Sequence, residues 1–144
     1  MIDWLKDLVR PIRRTDPQFG RMRYLRDTCT WEGWTSFAPT GGQVEVLLSG
    51  DRTGPSEQQR QFVRTLETRY ASIFPAVRSS LIEAVGPEAG ISGLPVEFTL
   101  VAIDLPAELT DATTWELCYE TEPKARFLAV EMKAWQPTNV SVDC

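Results

Sequence analysis

A chain of 144 residues, 42% hydrophobic and 24% charged, has the size and composition of one globular domain and can bury a core without disulfides or metal. It contains no histidine, which removes the commonest general base and metal ligand and argues against hydrolases, nucleases and zinc enzymes. The net charge of −5 is unevenly spread. Residues 1–26 hold seven bases against three acids, and between Arg78 and Lys124 stand nine acids and no base. A field of one sign favours a partner of the opposite sign and repels nucleic acid; it also serves plain solubility.

The first segment, Ile2 to Arg10, has Ile2, Leu5 and Val9 on one side and is expected to be a short amphipathic helix stopped by Pro11. Arg13 to Pro17 then reads as a polar connector, so residues 1–17 form an N-terminal arm on a core spanning 18–143. Phe19 to Leu25 and Trp31 to Phe37 alternate as strands. Trp31 and Trp34 are three apart in the second, so they point to opposite faces. A turn at Pro39 to Gly42 leads to a third strand with Val44, Val46 and Leu48 on one face.

The period then changes. Pro55, Ser56 and Glu57 mark a helix start, with Ser56 and Gln59 spaced for a capping box. Apolar residues from Phe62 to Val85 recur at steps of one, three and four. Pro75 lies inside that stripe and is expected to kink the helix or divide it in two. After a loop at Glu88 to Gly93, strands are expected at Val96 to Ile103, Trp115 to Glu120 and Phe127 to Trp135, with a short piece at Val140 and Val142. The expected fold is α+β: about six strands in βββ-α-βββ order, mostly antiparallel, with one long helix on one face.

Motifs that dictate chemistry are missing. There is no GxGxxG, P-loop, GxSxG or HExxH, and Cys29, Cys118 and Cys144 form no CxxC. Gly50 to Gly54 precedes a helix but lacks a P-loop lysine, so its glycines read as turn residues. Neither a cofactor nor a metal is expected. Glu116 and Glu120 share one strand face with Glu122 beyond them, a pattern more typical of solvation or an interface than of acid–base work. Trp135 falls on the predicted face of Glu131 and Lys133, away from Leu128, Val130 and Met132. Exposed aromatics of this kind mark interfaces, unless the N-terminal arm covers that face.

Several strings together carry a resemblance. They are Phe19 to Tyr24, Trp31-Glu32-Gly33 with Phe37, Val44-Glu45-Val46, Gly54 to Arg60 (GPSEQQR), Leu66-Glu67 with Arg69-Tyr70, Trp115-Glu116-Leu117 with Tyr119-Glu120, and Trp135 with Pro137. Over about residues 19–143 the chain resembles small bacterial α+β domains without assigned activity. That group is similar to the immunity proteins of polymorphic or contact-delivered toxin systems. The resemblance implies a fold and a stand-alone gene more than an activity; together with the small size, the missing motifs and the acidic stretch it leads to the expectation of a non-catalytic binding protein whose partner is a cognate toxin, basic and nuclease-like.

The expected contact residues are Glu97, Glu116, Glu120 and Glu122, with Trp34 and Trp135 as aromatic anchors. The acidic start at Asp3 and Asp7 is unlike a signal peptide, and no segment reaches the roughly 20 apolar residues of a membrane span, so a cytoplasmic home is expected. Nucleic acid and membrane are not expected as partners. An adaptor, chaperone or homodimer, and less readily a carboxylate-based enzyme, stand as alternatives.

Overall fold

A computed structural model describes residues 12–86, 96–122 and 125–143. The helix expected at residues 2–10, the loop at 88–93 and the turn at 123–124 lie outside them. Eight strands form one sheet: β1 (Ile12–Asp16), β2 (Gly20–Leu25), β3 (Thr30–Phe37), β4 (Gly42–Ser49), β5 (Glu97–Leu105), β6 (Thr114–Glu122), β7 (Phe127–Lys133) and β8 (Gln136–Val142). A helix, α1 (Glu57–Val85), stands between β4 and β5. The spatial order equals the chain order, and each neighbouring pair is antiparallel except β4 and β5, which α1 joins in parallel. Hairpin turns permit the antiparallel pairs, whereas parallel neighbours require a crossover.

The architecture is therefore α+β as expected, but each half of the sheet has four strands rather than three. Both additional strands lie at edges. In β1, Arg13, Arg14 and Thr15 are exposed, which is why the segment reads as a connector; only Ile12 and Asp16 turn inward. In β8, Val140 and Val142 pack against the core while Pro137 occupies an edge position that tolerates a missing N–H. The strand expected to reach Trp135 stops at Lys133. Ala134 and Trp135 both have positive φ, 47° and 66°, and make a two-residue hairpin turn between Lys133 and Gln136.

Helix α1 follows its sequence pattern closely. Gln59, Val63, Leu66, Tyr70, Ile73, Val77 and Leu81 are buried, at steps of three and four. The helix continues unbroken through Pro75 and is not divided there. Pro75 and Ala71 are both exposed, so the carbonyl that the proline ring displaces faces water. The capping box forms: Gln59 N–H donates to Ser56 Oγ at 3.0 Å, and Ser56 N–H donates to Gln59 Oε1 at 3.0 Å.

The core fills the space between α1 and one sheet face. Phe37 meets Tyr70 edge-on at 5.2 Å, and Phe62 meets Trp115 at 4.9 Å. The Tyr70 and Tyr119 hydroxyls share a buried 2.7 Å hydrogen bond, which satisfies two polar tips inside an apolar layer. Burial pushes both phenols up. Among the described residues no helix is long and apolar enough to cross a membrane.

Candidate functional site

With one sheet face closed by α1, the other is open among the described elements. Register places one row of side chains across all eight strands of that face. It runs Arg13, Arg23, Glu32, Leu47, Asp104, Glu116, Glu131 and Asn139. The neighbouring row contains Trp34, Glu45, Ala102, Cys118, Ala129 and Ser141. The face is thus basic over β1 and β2, mixed at β3, and mainly acidic over β4 to β7, where Lys133 at the end of β7 is the one base in the strands described.

Of the residues expected from sequence, Glu116, Glu120 and Glu122 share this face of β6. Glu97 joins them, paired across from Glu122, and Glu120 lies across from Thr99. Trp34 stands on the same face over β3 and is 52% exposed, while Trp31 on the opposite face is fully buried. Trp135 does not join them. Its positive φ swings the indole to the helix side, where it stacks on Phe62 at 4.8 Å and meets Trp115 edge-on at 5.4 Å. The Arg69 guanidinium lies over its ring at 4.8 Å. The sheet-face position expected for Trp135 depended on a strand two residues longer than the one that forms.

Three acids of the acidic half of the face escaped the sequence reading as contact residues. Glu131 alternates correctly on β7, so its signal was present. Glu45 stands between Val44 and Val46 and was visible in the same way. Asp104 was hidden, because the register shifts between Leu100 and Ala102 and the period-two rule slips by one residue there.

Electrostatics make the acidic end costly. Asp104, Glu116 and Glu131 are direct cross-strand neighbours, and like charges facing each other destabilise a sheet. Burial, followed by the Glu116 charge, raises the Asp104 carboxyl above its ordinary range. Burial, followed by Glu32, raises Glu45, with Arg23 opposing. Among the described residues no ion pair engages Glu45, Asp104, Glu116 or Glu120.

A group with a raised folded-state pKa contributes stability that is present below its unfolded value and lost as pH rises through the folded one. Asp104→Asn is therefore expected to stabilise the protein at pH 7 by about 0.5–1 kcal/mol, the scale of one cross-strand pair. The gain should shrink as pH falls and the wild-type carboxyl takes up its proton, and be gone below the unfolded value near 3.9. Thermal unfolding of both proteins across that pH range checks this.

The basic end has a shape of its own. Arg13, Arg21, Arg23, Glu32 and Trp34 line a groove of about 510 Å³. Arg23 is held by Glu32 through Nε at 3.0 Å and a terminal nitrogen at 2.9 Å. Arg13 and Arg21 are exposed and have no ion-pair partner among the described residues.

Family models, curated proteins and solved structures give no match to this chain.

The remaining sequence candidates have structural roles. The Gly50 to Gly54 turn is filled from within: the Tyr24 hydroxyl donates to Gly50 O at 2.9 Å, Trp31 Nε1 to Asp51 O at 2.7 Å, and Arg14 to Thr53 O. The Asp51 carboxylate takes the Thr53 N–H at 2.9 Å. The Gly50, Asp51 and Thr53 carbonyls and the Thr53 N–H are thus taken within the chain. Among the described residues no group of three or more His, Cys, Asp or Glu side chains is arranged to hold a metal ion. Cys29 is exposed in the β2–β3 turn, and Cys118 lies half-buried on the open face; neither is in a disulfide.

Proposed function

We propose that this chain is a non-catalytic protein-binding module that captures a basic bacterial partner on its open sheet face. Its best-fitting role is that of a cytoplasmic immunity protein, neutralising a nuclease-like toxin. The observation that carries this reading is the run of Asp104, Glu116 and Glu131 on adjacent strands, extended by Glu120, Glu122 and Glu97. No ion pair among the described residues involves any of these six acids. Repulsion retained on a sheet face is relieved when a cationic surface docks. Complementary fields also raise encounter rates by roughly 10- to 1,000-fold at low salt. Trp34, exposed on the same face across from Glu45, supplies an anchor of the type that dominates interface energies.

The test is co-expression. The tagged chain is recovered from its own host, and a stoichiometric partner encoded beside it is expressed alone and together with it. The reading expects a partner that is toxic alone and harmless in the pair. A partner equally toxic with and without this chain would refute the immunity role.

A second reading has its own observation. Because the face is basic at one end and acidic at the other, two copies related by a two-fold axis near Leu47 would set Arg13 and Arg23 against Glu131 and Glu116. A mass in solution that doubles with concentration, and halves in high salt, would favour that homodimer.

A further inference from the structure

We infer that the groove over β1 to β3 binds a nucleotide-class ligand, a flat ring carrying one or a few phosphates. Trp34 would stack on the ring, and Arg13 and Arg21 would take the phosphate oxygens. The groove's volume of about 510 Å³ suits a ligand of that size. Guanidinium forks match phosphate geometry; four arginines line the groove, of which Arg14 is engaged by Thr53 O and the Trp31 ring, while of the other three Arg13 and Arg21 are exposed without an ion-pair partner among the described residues. The third, Arg23, is fixed by Glu32 and forms a wall between the phosphate seat and the acidic half of the face. An indole 52% exposed on a sheet face offers a stacking surface without rearrangement.

The same face decides between a small ligand and a polymer. Glu45 lies directly across from Trp34, and Asp104 and Glu116 follow on the next strands. A phosphate chain running on across the sheet would meet these carboxylates, so the field admits a few phosphates at β1 and β2 and repels a strand. An acidic peptide would satisfy the arginines but leave the indole without a matching ring.

The site shares Trp34 with the protein-binding reading but does not rest on it, and it is tested on the chain alone. A fluorescent ADP analogue is titrated into the full-length protein at roughly 0.15 M salt, followed by anisotropy. ADP, adenosine, pyrophosphate, a poly-glutamate peptide and a single-stranded oligonucleotide then compete. The expected result is saturable binding with Kd below about 1 mM. Adenosine and pyrophosphate should each compete about tenfold more weakly than ADP, because each lacks one half of the recognition.

Trp34→Ala and Arg21→Glu, both at exposed positions, should each weaken binding about tenfold while leaving the unfolding midpoint unchanged. No saturation below about 1 mM would overturn the assignment. So would pyrophosphate, the peptide or the oligonucleotide competing as well as ADP, since each would show that ring and phosphate are not read together.

Discussion

Replacing Asp16 by alanine is expected to cost about 3 kcal/mol of stability, one of the two largest effects expected of a single substitution in this protein. Asp16 is 2% exposed and occupies the end of edge strand β1. Its carboxylate receives both terminal nitrogens of Arg60, one at 2.6 Å, along with the backbone N–H groups of Gln18 at 2.9 Å and Phe19 at 3.0 Å. One side chain therefore closes the β1–β2 turn and fastens it to the first turns of α1. Alanine would leave a guanidinium and two amide donors without their acceptor.

The expected loss lies at the low end for a broken buried pair because the Arg60 side chain, 17% exposed, keeps some access to water. Burial by itself pushes the Asp16 carboxyl up, but the Arg60 and backbone hydrogen bonds outweigh it and hold the group below its ordinary value. A lowered folded-state pKa contributes stability that is present above the unfolded value, near 3.9, and lost as pH falls through the folded one. Wild type should thus lose stability steeply below about pH 4, and Asp16→Asn should show a flatter acid limb. Urea unfolding at pH 7 and pH 3 reads both effects. Equal slopes for the two proteins would contradict the role given to Arg60.

Gln59→Ala is expected to cost about 2–4 kcal/mol. The residue is 1% exposed, and its side chain is shared among three elements. Besides accepting from Ser56 N–H, it donates through Nε2 to Ser49 O at 2.7 Å and to Pro106 O at 3.0 Å. It therefore clamps the start of α1 to the ends of β4 and β5, the parallel pair that the helix connects. Truncation leaves one donor and two acceptors unmatched at a part-buried site. Ser56→Ala, by contrast, removes only the cap acceptor and should cost about 1 kcal/mol. Denaturant midpoints that rank Ser56→Ala as the more damaging change would contradict the clamp.

The helix, the central strands and the capping box were legible because each obeys a short-range rule. The α1 stripe survives Pro75, since that residue faces outward and its missing hydrogen bond falls on the wet side. Edge strands follow weaker rules. A strand such as Ile12 to Asp16 needs only two inward residues, so Arg13, Arg14 and Thr15 give it the composition of a linker. The two-residue turn at Ala134 and Trp135 lacks the Asn-Gly chemistry that normally announces it, because a bulky aromatic is held at positive φ by stacking on Phe62 and Trp115.

The acidic face was half legible for a related reason. Alternation placed Glu116 and Glu120 together and put Glu131 and Glu45 within reach of the same rule, but the bulge in β5 decided the facing of Asp104 and the helical crossover set β4, with Glu45, beside β5. Register across a β-bulge and across a helical crossover is a tertiary property. No local pattern in the chain encodes it.

The central claim, that the acidic half of the open face captures a basic partner, is tested most directly by charge reversal. Glu116→Lys with Glu120→Lys places cations beside Asp104 and Glu131, which relieves the like-charged row and should leave folding intact. Measured against the partner recovered by co-expression, the double variant should bind at least about 100-fold more weakly than wild type and fail to protect cells. Undiminished affinity and full protection, with an unchanged unfolding midpoint, would place the binding surface elsewhere on the molecule.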